Sequence, residues 1–153
     1  MPDSLLLHGT LGLFKGMECG RYQQYVQLLV NAPMKVMIVD DSKSMRMIVK
    51  RTLKQAGYDD MEFEEADDGT DALEKIDGYE PELVLCDWNM PTMNGIDFLK
   101  AIREAGNNVK FGFVTTESTA EMRAAAKEAG AQFLVAKPFT AESFEKALRP
   151  VIG

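Results

Sequence analysis

Four short apolar runs, each ended abruptly by a polar residue, constrain this chain more than any other feature. Val36–Val39 stops at Asp40 and Asp41, Leu83–Cys86 at Asp87, Phe111–Val114 at Thr115, and Phe133–Ala136 at Lys137-Pro138. Helical spacing fills the gaps between them. Met45, Ile48, Val49, Leu53 and Ala56 lead to Gly57, and Ile96, Leu99 and Ile102 end near Gly106. Met122, Ala125, Ala126 and Ala129 are closed by Gly130. A weaker strand pattern covers Met61–Glu65, and Ala72, Leu73 and Ile76 mark a short helix closed by Asp77-Gly78. Thr140 is the expected N-cap of a last helix with Phe144, Ala147, Leu148 and Val151 on one face.

Five βα units in succession predict an α/β fold, a parallel sheet covered by helices on both faces. Strands that are apolar throughout, instead of alternating, suit a sheet buried on both sides. Right-handed crossovers then restrict the topology to a doubly wound sheet. Ligands of such sheets sit beyond the carboxyl ends of the strands, where the strand order reverses. The polar residues Asp40, Asp41, Asp87, Thr115 and Lys137 all fall at those ends.

With a strand order of 2-1-3-4-5, strands one and three are neighbours about 4.8 Å apart, and their terminal carboxylates face each other. Three acids so close repel one another unless a cation neutralises them. Mg²⁺ suits the set, because it prefers oxygen ligands and keeps waters and phosphate oxygens as partners. A carboxylate can also accept a phosphoryl group as an acyl phosphate. Lys137 and the Thr115 hydroxyl are then suited to hold the phosphate oxygens. Taken singly, each residue has a plainer reading: Asp40 and Asp41 cap the following helix, and Lys137 is a solvated charge. The convergence of all five favours the site.

Charge and composition narrow the function further. The 153 residues carry a net charge of −7, which argues against nucleic acid, since phosphate binding needs a basic footprint. Residues 1–33 balance Asp3 and Glu18 against Lys15 and Arg21, so the excess lies on residues 34–153. No run of 18 apolar residues is present, and no membrane span is expected. Leu5-Leu6-Leu7 lacks the positive region of a secretory signal. Cys19 and Cys86 match no metal spacing, and Cys86 reads as a buried core thiol. A reduced, cytoplasmic setting is the expectation.

The segments Ile38-Val39-Asp40-Asp41, Cys86-Asp87-Trp88-Asn89-Met90-Pro91, Phe113-Val114-Thr115-Thr116 and Ala136-Lys137-Pro138-Phe139 closely resemble receiver domains of two-component response regulators. The stand-alone chemotaxis regulators of the CheY type are the nearest look-alikes. The resemblance covers residues 35–151, and four motifs in the right order and spacing make it very specific. It carries with it the flavodoxin-like five-stranded sheet in the order 2-1-3-4-5.

Position by position, the resemblance implies that Asp87 is the phosphoryl acceptor. Asp41, Asp87 and the backbone carbonyl of Asn89 ligate Mg²⁺ directly, and Asp40 acts through water. Thr115 is the switch hydroxyl, Lys137 the phosphate partner, and a cis bond precedes Pro138. Asn89 and Glu117 match the pair that tunes self-dephosphorylation. One position departs from the pattern: many members carry an aromatic switch residue where Leu134 stands. Phe133 is adjacent, but on a strand it faces the other way.

The function so implied is a monomeric switch phosphorylated by a histidine kinase, with chemistry limited to its own phosphorylation and dephosphorylation. A flagellar motor switch protein and a phosphatase are the implied partners. A phosphorelay intermediate is the alternative within the class. An aspartate-nucleophile phosphatase built on Asp40 wants a second Asp where Ser42 stands. In a flavin-binding module, Asp40 and Asp41 would repel the cofactor phosphate. The acidic residues Asp59, Asp60, Glu62, Glu64, Glu65, Asp67, Asp68 and Asp71 read as a solvated edge. Phe139, Phe144 and the Met122 helix lie near the surface the family uses for partners, or belong to the core. Residues 1–33 have no counterpart in the resemblance. Tyr22, Tyr25, Val26 and Leu29 fit one helical face, and the segment is expected to be a disordered leader or an upstream-start extension before Met34.

Overall fold

A computed structural model describes residues 15–30 and 32–153; the Leu5–Leu7 cluster and the rest of 1–14 lie outside the described residues, as does Asn31. The chain divides into two units, Met1–Pro33 and Met34–Gly153. In the first, Cys19–Val30 forms a helix, α1, none of whose residues is buried.

The second unit alternates strand and helix throughout: β1 (Met34–Val39), α2 (Lys43–Gln55), β2 (Met61–Ala66), α3 (Gly69–Tyr79) and β3 (Leu83–Cys86). It continues with α4 (Gly95–Glu104), β4 (Lys110–Thr115), α5 (Ala120–Ala129), β5 (Phe133–Ala136) and α6 (Ala141–Ile152). The sheet has the order β2-β1-β3-β4-β5, and every pairing is parallel. All four residues of β3 are buried, as are the last four of β1, which agrees with a sheet covered on both faces.

Local chemistry sets the helix ends. Ser42, Asp68, Asn94, Thr119 and Thr140 each accept a hydrogen bond from the backbone N–H three residues on, satisfying a donor that the first turn leaves free. At Thr140 the bond is reciprocated by Ser143, which makes a capping box. The α3 helix runs one residue past the expected stop at Asp77-Gly78, to Tyr79. It is closed instead by Glu80, whose φ of 54° places a non-glycine residue in the left-handed region.

Two cores flank the sheet. Met37, Val39, Val84, Cys86, Phe111 and Phe113 face α3, α4 and α5. Val36, Ile38, Leu83, Leu85 and Val114 face α2 and α6, meeting Val49, Leu53, Phe144 and Leu148. Phe144 is core, and Phe139 packs against it with ring centroids 4.8 Å apart. On the first face four aromatic rings form a contact series. Trp88 lies 4.7 Å from Phe113, Phe113 lies 5.1 Å from Phe111, and Phe111 lies 5.9 Å from Phe98.

The stripe that α2 buries differs from the apolar spacing in its sequence. Arg46, Val49, Thr52 and Leu53 are buried, while Ile48 remains 44% exposed. The buried stripe thus runs through Arg46, whose guanidinium meets charged partners, and leaves Ile48 at its exposed margin.

Candidate functional site

Strand register delivers the polar residues to one edge. Val39 pairs with Cys86, and Asp40 and Asp87 follow them one step on. Thr115 pairs with Ala136, which puts Lys137 next in line. The ladder continues past the strand ends, with Asp87 N–H donating to the Val39 carbonyl and Lys137 N–H to the Thr115 carbonyl, each at 2.8 Å. The Lys137-Pro138 peptide is cis.

The side chains converge. Carboxylate oxygens of Asp40, Asp41 and Asp87 all lie within 4.8 Å of one another. Lys137 Nζ sits 3.0 Å from Asp40 Oδ2 and 3.6 Å from Asp87 Oδ2, so one ammonium serves two acids. Asp40 Oδ1 also accepts from the Ser42 N–H at 2.8 Å, and Asp87 Oδ1 accepts from the Trp88 N–H at 2.8 Å. Asp41 is exposed, and Asn89 and Glu117 are exposed in the loops after β3 and β4.

Burial pushes the Asp87 carboxyl above its ordinary range. Lys137 pulls it back and Asp40 pushes it up again. Three clustered acids thus have one close ammonium, which reaches only Asp40 and Asp87, an unbalanced arrangement that a divalent cation would correct. Burial also raises the neighbouring Cys86 thiol well above its usual value, with Asp87 and Asp40 adding to the effect, so it is an inert core thiol.

The Thr115 hydroxyl is fully buried and, among the described residues, has no hydrogen-bond partner. Leaving such a group unpaired costs about 1–3 kcal/mol. An oxygen-rich group entering beside Asp87 and Lys137 would satisfy it. Three hard carboxylates with an orphaned hydroxyl and an ammonium fit a Mg²⁺ ion together with a phosphoryl group.

The closeness of the β3–α4 turn depends on Gly95. A Cβ there would lie 2.2 Å from the Asp87 carbonyl oxygen and 2.9 Å from Phe113 Cε1. Only glycine lets α4 approach this near the end of β3. Thr92, in the same turn, has a φ of 69°, which strains a β-branched residue.

Leu134 packs against the α3–α5 face, while Phe133 lies on the opposite face. A Cβ on Gly112 of the neighbouring strand would meet the Phe133 ring at 2.0 Å, so the ring occupies the space that glycine leaves. Leu134 also lines a groove of about 470 Å³ with Arg123, Ala126, Lys127, Ala131 and Gln132.

Arg46 was not legible as part of this edge. Its guanidinium reaches Glu65, Asp67 and the Asp40 carbonyl. Lys50 pairs with Glu65, and Lys75 with Glu64 and Asp71, so the acidic stretch is partly tied down and not simply a solvated edge. The hydrogen bond from Lys50, assisted by Arg46, holds the Glu65 carboxyl below its usual value. The available signal was eight acids without an interspersed base, which required cations from elsewhere in the chain.

A doubly wound sheet with this acid cluster at its switch point defines the class: residues 36–149 match the response regulator receiver domain, and the chain belongs to that family. Among its relatives, chemotaxis protein CheY1 of Helicobacter pylori is 37% identical over 123 residues, covering 78% of this chain and 98% of that protein. Chemotaxis protein CheY-3 of Vibrio cholerae is 38% identical over 125 residues, covering 80% and 95%. The crystallised chemotaxis protein CheY4 of Vibrio cholerae superposes with a TM-score of 0.70 at 38% identity, covering 79% of this chain and all of that one. Among the described residues, no helix is long and apolar enough to cross a membrane.

Proposed function

We propose that this chain is a phosphorylation-activated switch that accepts a phosphoryl group on Asp87 from the phosphohistidine of a histidine kinase. The observation that carries the reading is the buried, unpartnered Thr115 hydroxyl at the same sheet edge as an acid cluster, two of whose members share one ammonium. Asp40, Asp41 and Asp87 are the side chains that would hold Mg²⁺, with the Asn89 carbonyl as a further ligand. Mg²⁺, when bound, supplies positive charge against the oxygens of the transferring group.

An Asp87 carboxylate oxygen attacks phosphorus as the P–N bond of the phosphohistidine breaks. The bonding electron pair leaves with the imidazole nitrogen, which takes up a proton. Lys137 neutralises charge on the transferred group, and the Thr115 hydroxyl donates to one of its oxygens. Water attack on the same phosphorus later restores the carboxylate and releases inorganic phosphate. Asn89 and Glu117, both exposed and two residues beyond Asp87 and Thr115 respectively, are the residues proposed to set that rate. The chain thus carries out only its own phosphorylation and dephosphorylation, and is not an enzyme acting on a separate substrate.

The added dianion need only favour one of two conformers; moving a 1:99 ratio to 99:1 takes roughly 5.5 kcal/mol of differential interaction. The chemotaxis names of the relatives support a role in chemotaxis; the role we propose is that of a diffusible cytoplasmic monomer, with a flagellar motor switch protein and a phosphatase as partners. Acetyl phosphate in Mg²⁺ should label the wild-type protein, and Asp87→Asn should abolish the label. Labelling that persists in this variant refutes Asp87 as acceptor. Pull-down of the phosphorylated form against flagellar switch proteins and histidine phosphotransfer domains separates chemotaxis from a phosphorelay.

A further inference from the structure

Arg46 is buried to an extent that its place in the first turns of α2 does not require. It is 7% exposed, and a guanidinium taken from water is costly unless its donors are satisfied. Nε donates to Glu65 Oε1 at 3.0 Å, and Nη1 lies 3.1 Å from Asp67 Oδ1. Nη1 also donates to the main-chain carbonyl of Asp40. Lys50 holds the other Glu65 oxygen at 2.9 Å, so this anchor is itself fixed. All three acceptors lie on the carboxyl edge of the sheet, along β1 and β2.

The Asp40 carbonyl belongs to the peptide that joins Asp40 to Asp41. The Asp40 carboxylate has its own restraints, the Ser42 N–H and Lys137. Asp41 has none: among the described residues, no hydrogen bond or ion pair holds its exposed carboxylate. The Cα–Cβ direction from which its carboxylate swings is set by its backbone, and one side of that backbone is held by Arg46. A planar guanidinium can satisfy several acceptors in fixed directions at once, which the point charge of a lysine cannot.

We infer that Arg46, anchored by Glu65 and Asp67, is a positioning residue that aims Asp41 at the cation. The inference rests on the Mg²⁺ reading given above. Outer residues that orient metal ligands typically change affinity by about 10–100-fold when altered.

The test is a Mg²⁺ titration of the full chain, followed by the emission of Trp88, in wild type, Asp41→Asn, Arg46→Lys and Glu65→Gln. Wild type should respond and Asp41→Asn should lose most of the response. Arg46→Lys should raise the Mg²⁺ midpoint by about tenfold, with acetyl phosphate labelling recovering as Mg²⁺ is raised. Glu65→Gln should shift the midpoint in the same direction by less. A cooperatively folded Arg46→Lys protein with the wild-type midpoint overturns the inference, even if its melting temperature falls, because that is a structural role alone. Should Arg46→Lys fail to fold, a wild-type midpoint in Glu65→Gln overturns it instead. A wild-type protein that does not respond to Mg²⁺ overturns the metal reading itself, which is a distinguishable failure.

Discussion

Gly95→Ala is the sharpest test of how the acceptor is held. The new Cβ would start 2.2 Å from the Asp87 carbonyl oxygen, 3.1 Å from its carbonyl carbon and 2.9 Å from Phe113 Cε1. Carbon–oxygen contacts settle near about 3.3–3.6 Å, so α4 must retreat by roughly 1 Å from the end of β3. Two of the three obstructing atoms are backbone, and Phe113 is fully buried, so nothing nearby yields cheaply. Overpacking of this kind costs about 1–3 kcal/mol. Straining the 2.8 Å bond from the Gly95 N–H to the Trp88 carbonyl adds about 1 kcal/mol. At roughly 3–6 °C per kcal/mol for a unit of this size, the melting temperature should fall by about 10 °C. Gly78→Ala is the internal control. A Cβ there meets nothing within 4 Å, and Gly78 lies inside α3, so the change should stabilise by up to about 1 kcal/mol. Thermal melts by circular dichroism on both variants decide the matter. A Gly95→Ala protein that melts within about 2 °C of wild type refutes the idea that backbone contact at Asp87 fixes α4.

Three further outcomes follow from the same edge. Asp87→Asn should raise stability at pH 7: the folded-state carboxyl titrates above its ordinary value, so its ionised form is disfavoured by folding at any pH above both values. That gain should shrink as pH falls through the raised value, because wild-type Asp87 is then protonated and neutral too; urea titrations at pH 7 and near pH 4 check the sign. Lys137→Met removes the shared cation of a buried pair and should cost about 3 kcal/mol without Mg²⁺, and clearly less when Mg²⁺ is added, as measured by denaturant midpoints. Thr92→Asn relieves a β-branched residue at φ 69° on an exposed turn and should raise stability by about 1 kcal/mol; an unchanged or lower melting temperature counts against strain there.

The strand-end residues were legible because they rest on patterns a sequence displays directly, whereas the strand order came with the resemblance to receiver domains. Leu83–Cys86 is apolar without interruption since both faces of β3 are covered, and Asp87 interrupts the pattern where cover ends. Register then did the rest: once Val39 pairs with Cys86, Asp40 and Asp87 must be neighbours. Phe133 and Leu134 fall on opposite faces for the same reason. Arg46 was hidden because periodicity counts apolar residues only. Met45 and Ile48 fit the stripe as well as Val49 does, and nothing local reveals that three acceptors wait beyond the helix. The extension of α3 to Tyr79 was masked similarly, since Asp77-Gly78 reads as a stop whether or not the chain uses it.

The ring series Trp88–Phe113–Phe111–Phe98 has a consequence for anyone observing this molecule by its single indole. Each ring rests on the next at 4.7, 5.1 and 5.9 Å, and the three phenylalanines are fully buried. The four rings form a continuous run of contacts leading from the residue after the acceptor to Phe98 on α4, with only the indole end partly open to solvent. Light emitted at Trp88 thus samples the acceptor directly and the rest of the series through Phe113. A shift in colour or intensity on adding Mg²⁺ reports a charge arriving beside Asp87, and one on trimming Phe98 or Phe111 reports slack in the series. The two can be told apart by whether chelation restores the original spectrum.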